Sequence, residues 1–362
     1  YQDGALNGAE MSITDNIFDV DNFINNQIYL YEDNNNGSII TIDNNNISMS
    51  GSSFAHFQVQ ENECQVLITN NTVSGNSVYM QLHDSSYSES DDYHYIIKDN
   101  IITDIYSSSS QIYCSGNSMT TGSFLIEGNT LYNMYINNHY SRINHIRDNI
   151  ISSSTDSQSI YSYQSSSVIE NNSIIDNKYD GIRIYKDFNY LAGTDTIRYN
   201  TITGNNTDNN SDRAGIKIDG YGNPVIWQNN IYDNNYYDIY HNSGEFDIDA
   251  RFNYWGETTL AEIESGDNPQ NLTKIYDEHD NADRGFVNYA GWLSEEVGEP
   301  GSLNGTGLVD FSDSSGTEVL TYPSGDPLYV HLNDSDRNAD TGSAETVMVT
   351  VLSETEDGGE SL

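Results

Sequence analysis

Two cationic residues stand out as candidates for chemistry in a chain that has few of them. Arg183 and Lys217 lie in the similar segments Gly-Ile-Arg-Ile-Tyr and Gly-Ile-Lys-Ile-Asp, and the 362 residues include 13 Lys plus Arg against 55 Asp plus Glu. With Asp219 and Tyr240, these residue types could remove a proton beside a carboxylate and stabilise the enolate-like charge that results. They form a candidate catalytic set. The alternative is that the cations neutralise an acidic surface locally.

A second candidate site is a series of tyrosines on strands of successive repeats. A tyrosine ring can pack flat against a sugar ring while its hydroxyl forms a hydrogen bond. The alternative is structural, because tyrosine favours strands and packs on itself along a sheet, and the chain has 28 of them. The candidate glycan-binding residues are Tyr29, Tyr79, Tyr113, Tyr161, Tyr163 and Tyr185.

Two acidic clusters are candidate metal sites, with Ca²⁺ as the cofactor. Oxygen side chains at positions 1, 3, 5, 7 and 12 can converge on one hard cation. In the stronger cluster Ala339 stands where such a loop normally has glycine, so an ordinary acidic turn remains the alternative. The candidate ligands are Asp334, Asp336, Asn338, Asp340 and Glu345, and the weaker cluster is Asp277, Asp280 and Asp283.

The elements that carry these residues are set by a repeated phrase. An aliphatic residue, two or three polar residues, asparagine, any residue and another aliphatic or aromatic residue recur at intervals of about two dozen residues. A period in this range indicates a stacked-repeat architecture. The asparagines are Asn16, Asn45, Asn71, Asn100, Asn129, Asn149, Asn172, Asn200, Asn229 and Asn253.

Each repeat contains short stretches in which apolar and polar residues alternate, and this pattern predicts strands. A unit with three short strands fits one coil of a right-handed parallel β-helix, with coils about 4.8 Å apart. Asparagine suits the corner between strands because it tolerates the left-handed backbone region and its amide can pair with the coils above and below. Aliphatic residues such as Ile182 and Ile184 then point inward, and Arg183 points outward.

The repeated phrase resembles the parallel β-helix repeat of secreted bacterial and archaeal proteins with the pectin-lyase-like fold. The segments 252–256, 275–280 and 285–293 resemble the closing coil and tail of such proteins, so the resemblance covers about residues 10 to 293. It implies an extracellular or cell-surface location. It leaves the function open, because this fold hosts lyases, hydrolases, epimerases and adhesive spacers.

The chain divides into three predicted regions. Residues 1–293 form the β-helix, with a capping segment from about residue 257 that includes a short helix over 258–266 and the packed residues Trp255 and Trp292. Residues 294–304 read as a linker. Residues 305–362 have longer strands and resemble the opening part of an immunoglobulin-like β-sandwich module of bacterial surface proteins, left incomplete.

Charge and cysteine content restrict the function further. A formal charge of −42 excludes a basic nucleic-acid-binding face, and no apolar run is long enough for a membrane span. Cys64 and Cys114 are predicted to be separate free thiols, with Cys114 in the core. The sequence favours a non-catalytic surface-layer, filament or adhesin component whose partners are glycans or neighbouring subunits. The alternatives are a polysaccharide-active enzyme, either a uronan lyase or a glycoside hydrolase, and a carbohydrate-binding β-helix.

Overall fold

The computed structural model describes residues 2–3, 10–21, 26–31, 39–50, 55–61, 65–75, 78–84, 93–105, 110–116, 122–188, 194–298, 308–312, 329–333, 350–351 and 360–361. The chain forms two compact units, Tyr1–Val297 and Gly298–Leu362.

Three parallel sheets make up the described part of the first unit. Sheet 1 consists of β1 (Gln2–Asp3), β4 (Asn26–Tyr31), β7 (Ala55–Glu61), β10 (Val78–Asp84), β13 (Gln111–Gly116), β16 (Tyr135–His139), β19 (Ile160–Tyr163), β22 (Ile182–Lys186), β25 (Ala214–Gly220), β28 (Tyr237–Asn242) and β30 (Ile275–Tyr276). Sheet 2 consists of β2 (Glu10–Thr14), β5 (Ile39–Asp43), β8 (Gln65–Thr69), β11 (Tyr95–Lys98), β14 (Ser123–Glu127), β17 (Ile143–Arg147), β20 (Ser167–Glu170), β23 (Thr196–Arg198), β26 (Val225–Trp227), β29 (Ile248–Asp249) and β31 (Val287–Asn288). Sheet 3 consists of β3 (Ile17–Asp21), β6 (Asn46–Ser50), β9 (Thr72–Gly75), β12 (Ile101–Asp104), β15 (Thr130–Tyr132), β18 (Ile150–Ser152), β21 (Ser173–Ile175), β24 (Thr201–Thr203) and β27 (Asn230–Tyr232).

The first nine coils each contribute one strand to each sheet, and the last two contribute strands to sheets 1 and 2 only. Each coil pairs with the coils before and after it, as in a right-handed parallel β-helix. This confirms the predicted fold class. Strands such as β5 and β8 alternate buried and partly exposed residues, which places one row of aliphatic side chains in the interior. Ile97, Ile146 and Ile197 have no exposed surface, and Cys114 is a buried free thiol among them, as predicted. Cys64 lies outside the described residues.

The ten repeat asparagines form one continuous hydrogen-bonded ladder through the corner between sheets 2 and 3. In Asn149, the backbone N–H and the side-chain Nδ2 both donate to Oδ1 of Asn172, at 3.0 and 2.9 Å. Nδ2 also donates to the carbonyls of Ile126 and Arg147. The same pattern runs from Asn16 to Asn253, so the predicted pairing between coils is confirmed.

The left-handed backbone at this corner belongs to the residue before each ladder asparagine. Asp148 and Asn171 have φ values of 57° and 54°, and the larger residues Tyr199 and Phe252 take the same conformation. The expectation that the ladder asparagine itself occupies this region was therefore wrong. Its side chain must turn inward to reach three backbone or amide partners, and the preceding residue makes the bend that allows this.

A second ladder, which the repeated phrase did not predict, follows sheet 3. Asn177 Nδ2 donates to Asn205 Oδ1, and Asn205 Nδ2 donates to Asn234 Oδ1, at 2.8 and 2.9 Å. Asp238 ends this ladder by accepting from Asn234. Each of these asparagines stands five positions after a ladder asparagine of the first series, at 172, 200 and 229. That spacing is the signal that would have revealed them.

The end of the β-helix is closed by a helix and a tail. Helix α1 (Gly256–Glu264) begins two residues earlier than predicted and buries Thr259 and Ile263. Trp255 is 1% exposed in the core, and Trp292 packs against the same cluster. The predicted short helix is therefore present, and its Ile263 belongs to the hydrophobic core; its role as a cap stays a prediction.

In the second unit the described strands are β32 (Leu308–Ser312), β33 (Tyr329–Asn333), β34 (Thr350–Val351) and β35 (Glu360–Ser361). β32 pairs with β33 and β34 with β35, both antiparallel. The immunoglobulin-like module therefore stays a prediction. The candidate ligands Asp334, Asp336, Asn338, Asp340 and Glu345 lie outside the described residues.

Candidate functional site

The outer face of sheet 1 carries the candidate residues in two parallel rows. Strand register aligns Tyr113 with Asn137, Tyr161, Arg183 and Lys217 in the first row. Tyr163, Tyr185 and Asp219 align in the second row, together with His139. Tyr29 belongs to the first row by register.

Tyr79 does not belong to the first row, contrary to its predicted place beside Tyr113. Gln81 pairs with Tyr113, whereas Tyr79 pairs with Gln111. Strand β10 buries Val78, Met80 and Leu82 in alternation, so either Tyr79 or Gln81 could be the outward residue aligned with Tyr113. The sequence alone did not decide between them.

The second-row tyrosines pack against each other. Tyr163 and Tyr185 are stacked, with ring centroids 5.2 Å apart and an interplanar angle of 6°. His139 contacts the rings of Tyr113, Tyr161 and Tyr163, at centroid distances of 5.1, 5.7 and 4.7 Å. Burial lowers the pKa of His139 to about 4, so the imidazole is neutral at physiological pH. These ring contacts join neighbouring strands of sheet 1. Sugar binding by the tyrosines remains a prediction.

Arg183 and Lys217 lie side by side on β22 and β25, as predicted. Arg183 Nε donates to Asp219 Oδ2 at 2.7 Å, and its guanidinium lies over the ring of Tyr161. Burial opposes the charge on Arg183, but the Asp219 carboxylate outweighs it, and the pKa of Arg183 is raised. Asp219 is 5% exposed and also accepts from Asn242, so its carboxylate is occupied by structural contacts.

The last of the four candidate catalytic residues is covered by aromatic rings. Tyr240 stacks on Tyr276 with centroids 4.5 Å apart and is 9% exposed, and Lys217 Nζ lies 5.0 Å from its ring. Burial is the main cause that raises the pKa of Tyr240 to about 12. The structure thus brings the four residues together but buries two of them, Asp219 and Tyr240.

An open cleft of about 380 Å³ adjoins Arg183 and Lys217. We call it the cationic cleft. It contains residues from loops that the sequence did not single out, above all Arg213 and Tyr179, whose guanidinium and ring lie 3.5 Å apart. A basic residue just before β25 in a chain with 13 cations was the available signal. The lining residues are Asp156, Ser157, Gln158, Tyr179, Asp180, Arg183, Asn210, Asp212, Arg213 and Lys217.

Charge in the cationic cleft is balanced, with three cations against three carboxylates, whereas the whole chain has a formal charge of −42. Lys217 Nζ donates to the carbonyl of Asp212 at 2.7 Å, and Arg213 lies 3.4 Å from Asp208. Asp180 is 4% exposed and accepts from the N–H of Ala214, and its burial raises its pKa to about 6. A carboxyl group with this pKa can exchange a proton near neutral pH.

Sheet 2 carries a separate row of alternating charges on its outer face. Glu127 accepts from Lys98 Nζ at 2.6 Å and from Arg147 Nη2 at 2.6 Å, and Glu170 accepts from Arg198 Nε at 2.7 Å. The strand register places these residues in one file. Three further cations of this acidic chain are therefore used to pair carboxylates between coils.

The weaker metal candidates do not converge on a common point. Asp277 is 3% exposed, and its two carboxylate oxygens accept from the N–H groups of His279 and Val287. Asp280 accepts a long hydrogen bond from the N–H of Asp277, and the N–H of Asp283 donates to Asn281. These acidic residues hold the turn that leads to the capping tail. Both carboxylate oxygens of Asp277 and one of Asp280 are taken up by backbone N–H groups.

Residues 90–269 match the family model named NosD and described as a periplasmic copper-binding protein. The match spans just under half of the chain. No curated protein and no solved structure matches it. The matched segment holds the cationic cleft, the Tyr and His contacts on sheet 1 and the charge row on sheet 2.

The predicted Ca²⁺ cofactor is contradicted, because the description of the matching family names copper and the described residues form no calcium site. Within the described ranges no three His, Cys, Asp or Glu side chains are grouped as metal ligands, and Cys114 is enclosed in the apolar core. These residues do not fit a copper site. Over the same ranges, no helix has the length and apolar character to cross a membrane.

Proposed function

We propose that this chain is a rigid structural component outside the cytoplasmic membrane, in a surface layer, a filament or an adhesin. The observation that carries the proposal is the uninterrupted register of the coils, in which one amide ladder runs from Asn16 to Asn253. Eleven strands at about 4.8 Å spacing give a rod roughly 50 Å long. The matching family is described as periplasmic, which supports a location beyond that membrane.

Labelling of cells that produce the protein tests this location. A membrane-impermeant amine reagent applied to intact cells or to spheroplasts should modify the chain, because exposed lysines such as Lys98 would then face the reagent. A cytoplasmic protein from the same cells is the control and should be labelled only after lysis. Labelling of this chain only after lysis would contradict the proposal.

The cationic cleft favours a second candidate function, the binding of an acidic saccharide. Arg213 is stacked on Tyr179 and paired through Nη1 with Asp208, and these two contacts hold its guanidinium in one orientation beside the cleft. Lys217 adds an ammonium group on the same cleft. A uronate carboxylate can accept hydrogen bonds from both cations while its sugar ring contacts Tyr179. This candidate rests on the three side chains and on the balanced charge of the cleft.

Substituting the cleft cations should weaken the binding of a uronic-acid oligosaccharide. Arg213→Ala and Lys217→Ala should each raise the Kd about tenfold, because a hydrogen bond to a charged group contributes about 1.5–3 kcal/mol and a tenfold change is about 1.4 kcal/mol. Titration calorimetry with alginate and pectate oligosaccharides provides the measurement. The same incubations, followed for unsaturated products, distinguish binding from lyase activity.

Arg147→Ala is the matched control, because it removes one positive charge from sheet 2, where Arg147 pairs with Glu127. It should leave the Kd unchanged. Equal weakening by Arg147→Ala and Arg213→Ala would show a general charge effect and contradict a site in the cleft. Release of unsaturated products that depends on Arg183 would replace both proposals with the polysaccharide lyase alternative.

A further inference from the structure

Polar side chains replace aliphatic ones in part of the β-helix interior. The inward position held by Cys114 is held by Asn138 in the next coil and by Ser162 in the one after, before Ile184 restores the aliphatic column. Asn138 and Ser162 have no exposed surface, and Ser167 is 1% exposed. This polar pocket lies between sheets 1 and 2, beside the point where the chain leaves β22.

A lysine and an aspartate meet in this pocket. Lys186 is the last residue of β22 and Asp195 directly precedes β23, and their side chains are 3% and 0% exposed. Lys186 Nζ lies 2.9 Å from Asp195 Oδ2. Among the described residues no donor is aligned for a hydrogen bond to Oδ2, so Nζ contacts the carboxyl group without hydrogen-bond geometry.

The other carboxyl oxygen of Asp195 is held by two neutral donors. Oδ1 accepts from the hydroxyl of Ser162 at 2.9 Å and from the backbone N–H of Ser167 at 3.0 Å. Two preorganised donors on one oxygen stabilise negative charge when a nucleophile adds to the attached carbon. The amine therefore faces a carboxyl group whose Oδ1 already accepts the two hydrogen bonds that would stabilise an oxyanion at that atom.

We propose that Lys186 and Asp195 condense to form an intramolecular isopeptide bond. Burying an ammonium and a carboxylate away from water is costly, and Oδ2 of Asp195 accepts no hydrogen bond among the described residues that would offset its share of this cost. Condensation removes both charges and leaves a neutral amide in their place. Exposed ion pairs lack this driving force, because water solvates each partner.

The reaction balances without an external reagent. A proton passes from Nζ to Oδ2, and the amine lone pair then forms the Nζ–Cγ bond. Oδ1 carries the resulting negative charge between the donors of Ser162 and Ser167. The Cγ–Oδ2 bond breaks, Oδ2 takes a second proton from Nζ, and one water molecule leaves. An ammonium and a carboxylate are thereby converted to an amide plus water, with no change in oxidation state.

The bond would tie the end of β22 to the start of β23 and close the segment 187–194 into a covalent loop. That segment is a connection between sheets 1 and 2 and is longer than the corresponding connection at 164–166. A covalent link there fixes the two strand ends that flank this connection. The inference does not rest on the acidic-saccharide site or on the location of the protein.

Mass spectrometry of the purified, unmodified chain tests the proposal. The intact mass should be one water molecule below the mass calculated from the sequence. Trypsin should cut after Arg183 and Arg198 but not after Lys186, which leaves the peptide 184–198 uncut and lighter by one water. Fragmentation of that peptide should give no backbone fragments between residues 186 and 195, because the link holds them together.

Two controls make the result specific. The pair Lys98–Glu127 has the shorter N–O distance of 2.6 Å, but its side chains are 41% and 15% exposed, so it should remain unlinked in the same digest. Lys186→Arg should restore the full sequence mass. The full mass in the unsubstituted chain, tryptic cleavage after Lys186, or a water loss mapped to other residues would each overturn the proposal, whether or not the variant folds.

Discussion

Replacing Asn149 with alanine should lower the free energy of unfolding by about 3–5 kcal/mol. The Asn149 side chain is 1% exposed, and its Nδ2 donates to the Ile126 and Arg147 carbonyls and to Asn172. Its Oδ1 accepts from the backbone N–H and Nδ2 of Asn129. Alanine leaves all of these partners buried without the amide, and each unsatisfied buried group costs about 1–3 kcal/mol.

The expected effect is large because a stacked-repeat protein depends on contacts between neighbouring coils. Loss of one amide interrupts the ladder between the Asn129 and Asn172 coils and weakens both interfaces. Chemical denaturation followed by circular dichroism gives the free energy of unfolding.

Asn46→Ala is the control, since Asn46 lies on a strand beside the ladder but is exposed. This substitution should change the free energy of unfolding by no more than about 0.5 kcal/mol. Similar losses in both variants would show that the ladder is not the source of stability.

The parts of the fold that the sequence predicted are those with a repeated physical requirement. Each coil must satisfy the same buried backbone groups at the same corner, so asparagine recurs at that place and the period is visible. Alternation likewise follows from burial of one strand face, which is why Ile112 and Cys114 were correctly placed inside. The short helix was predicted because the period ends at Trp255 and the segment that follows has apolar residues at Leu260 and Ile263, one helical turn apart.

The site was less predictable because it depends on positions that do not repeat. Arg213 and Tyr179 come from loops, and nothing in the strand pattern indicated that their side chains would meet. Tyr240 was placed on an exposed face, but Tyr276 of a later coil covers it. The polar pocket around Asp195 was hidden because serine and asparagine at inward positions read as ordinary strand or loop residues.

Replacing Asp238 with asparagine should raise stability at pH 8 by about 4 kcal/mol and have little effect at pH 4. Asp238 is fully buried, and burial raises its pKa from 3.8 to about 7 despite the hydrogen bonds from Asn234. A shift of one pKa unit corresponds to about 1.4 kcal/mol, so ionisation above pH 7 is opposed by about 4 kcal/mol. Asparagine keeps an oxygen for the donors of Asn234 and carries no charge.

The direction follows from proton linkage. The folded state of the natural chain binds the Asp238 proton more tightly than the unfolded state, so this group stabilises the fold fully below about pH 4. That contribution is lost as the pH rises through about 7. Asp180 acts in the same direction, with its pKa raised to about 6. His139, whose pKa burial lowers to about 4, acts in the opposite direction, because its folded form binds a proton less readily than its unfolded form. The contribution of Asp238 is therefore the difference between the two profiles: between pH 4 and pH 7 the natural chain should lose more stability than Asp238→Asn.

Asp267→Asn provides the control, because it removes one negative charge from an exposed position and should leave the pH profile unchanged. Unfolding curves at pH 4, 6 and 8 separate the two effects. If Asp238→Asn lowered the free energy of unfolding equally at all three pH values, the carboxyl group would contribute through its contacts and not through a change in its protonation, and the prediction would be wrong. If the profile were as steep as in the natural chain, another buried acid would have to account for it. The first ladder ends in a neutral amide at Asn253, and the second ends in a carboxyl group at Asp238. A gain in stability from the single substitution would show that the second ladder is more stable when its last residue carries no charge.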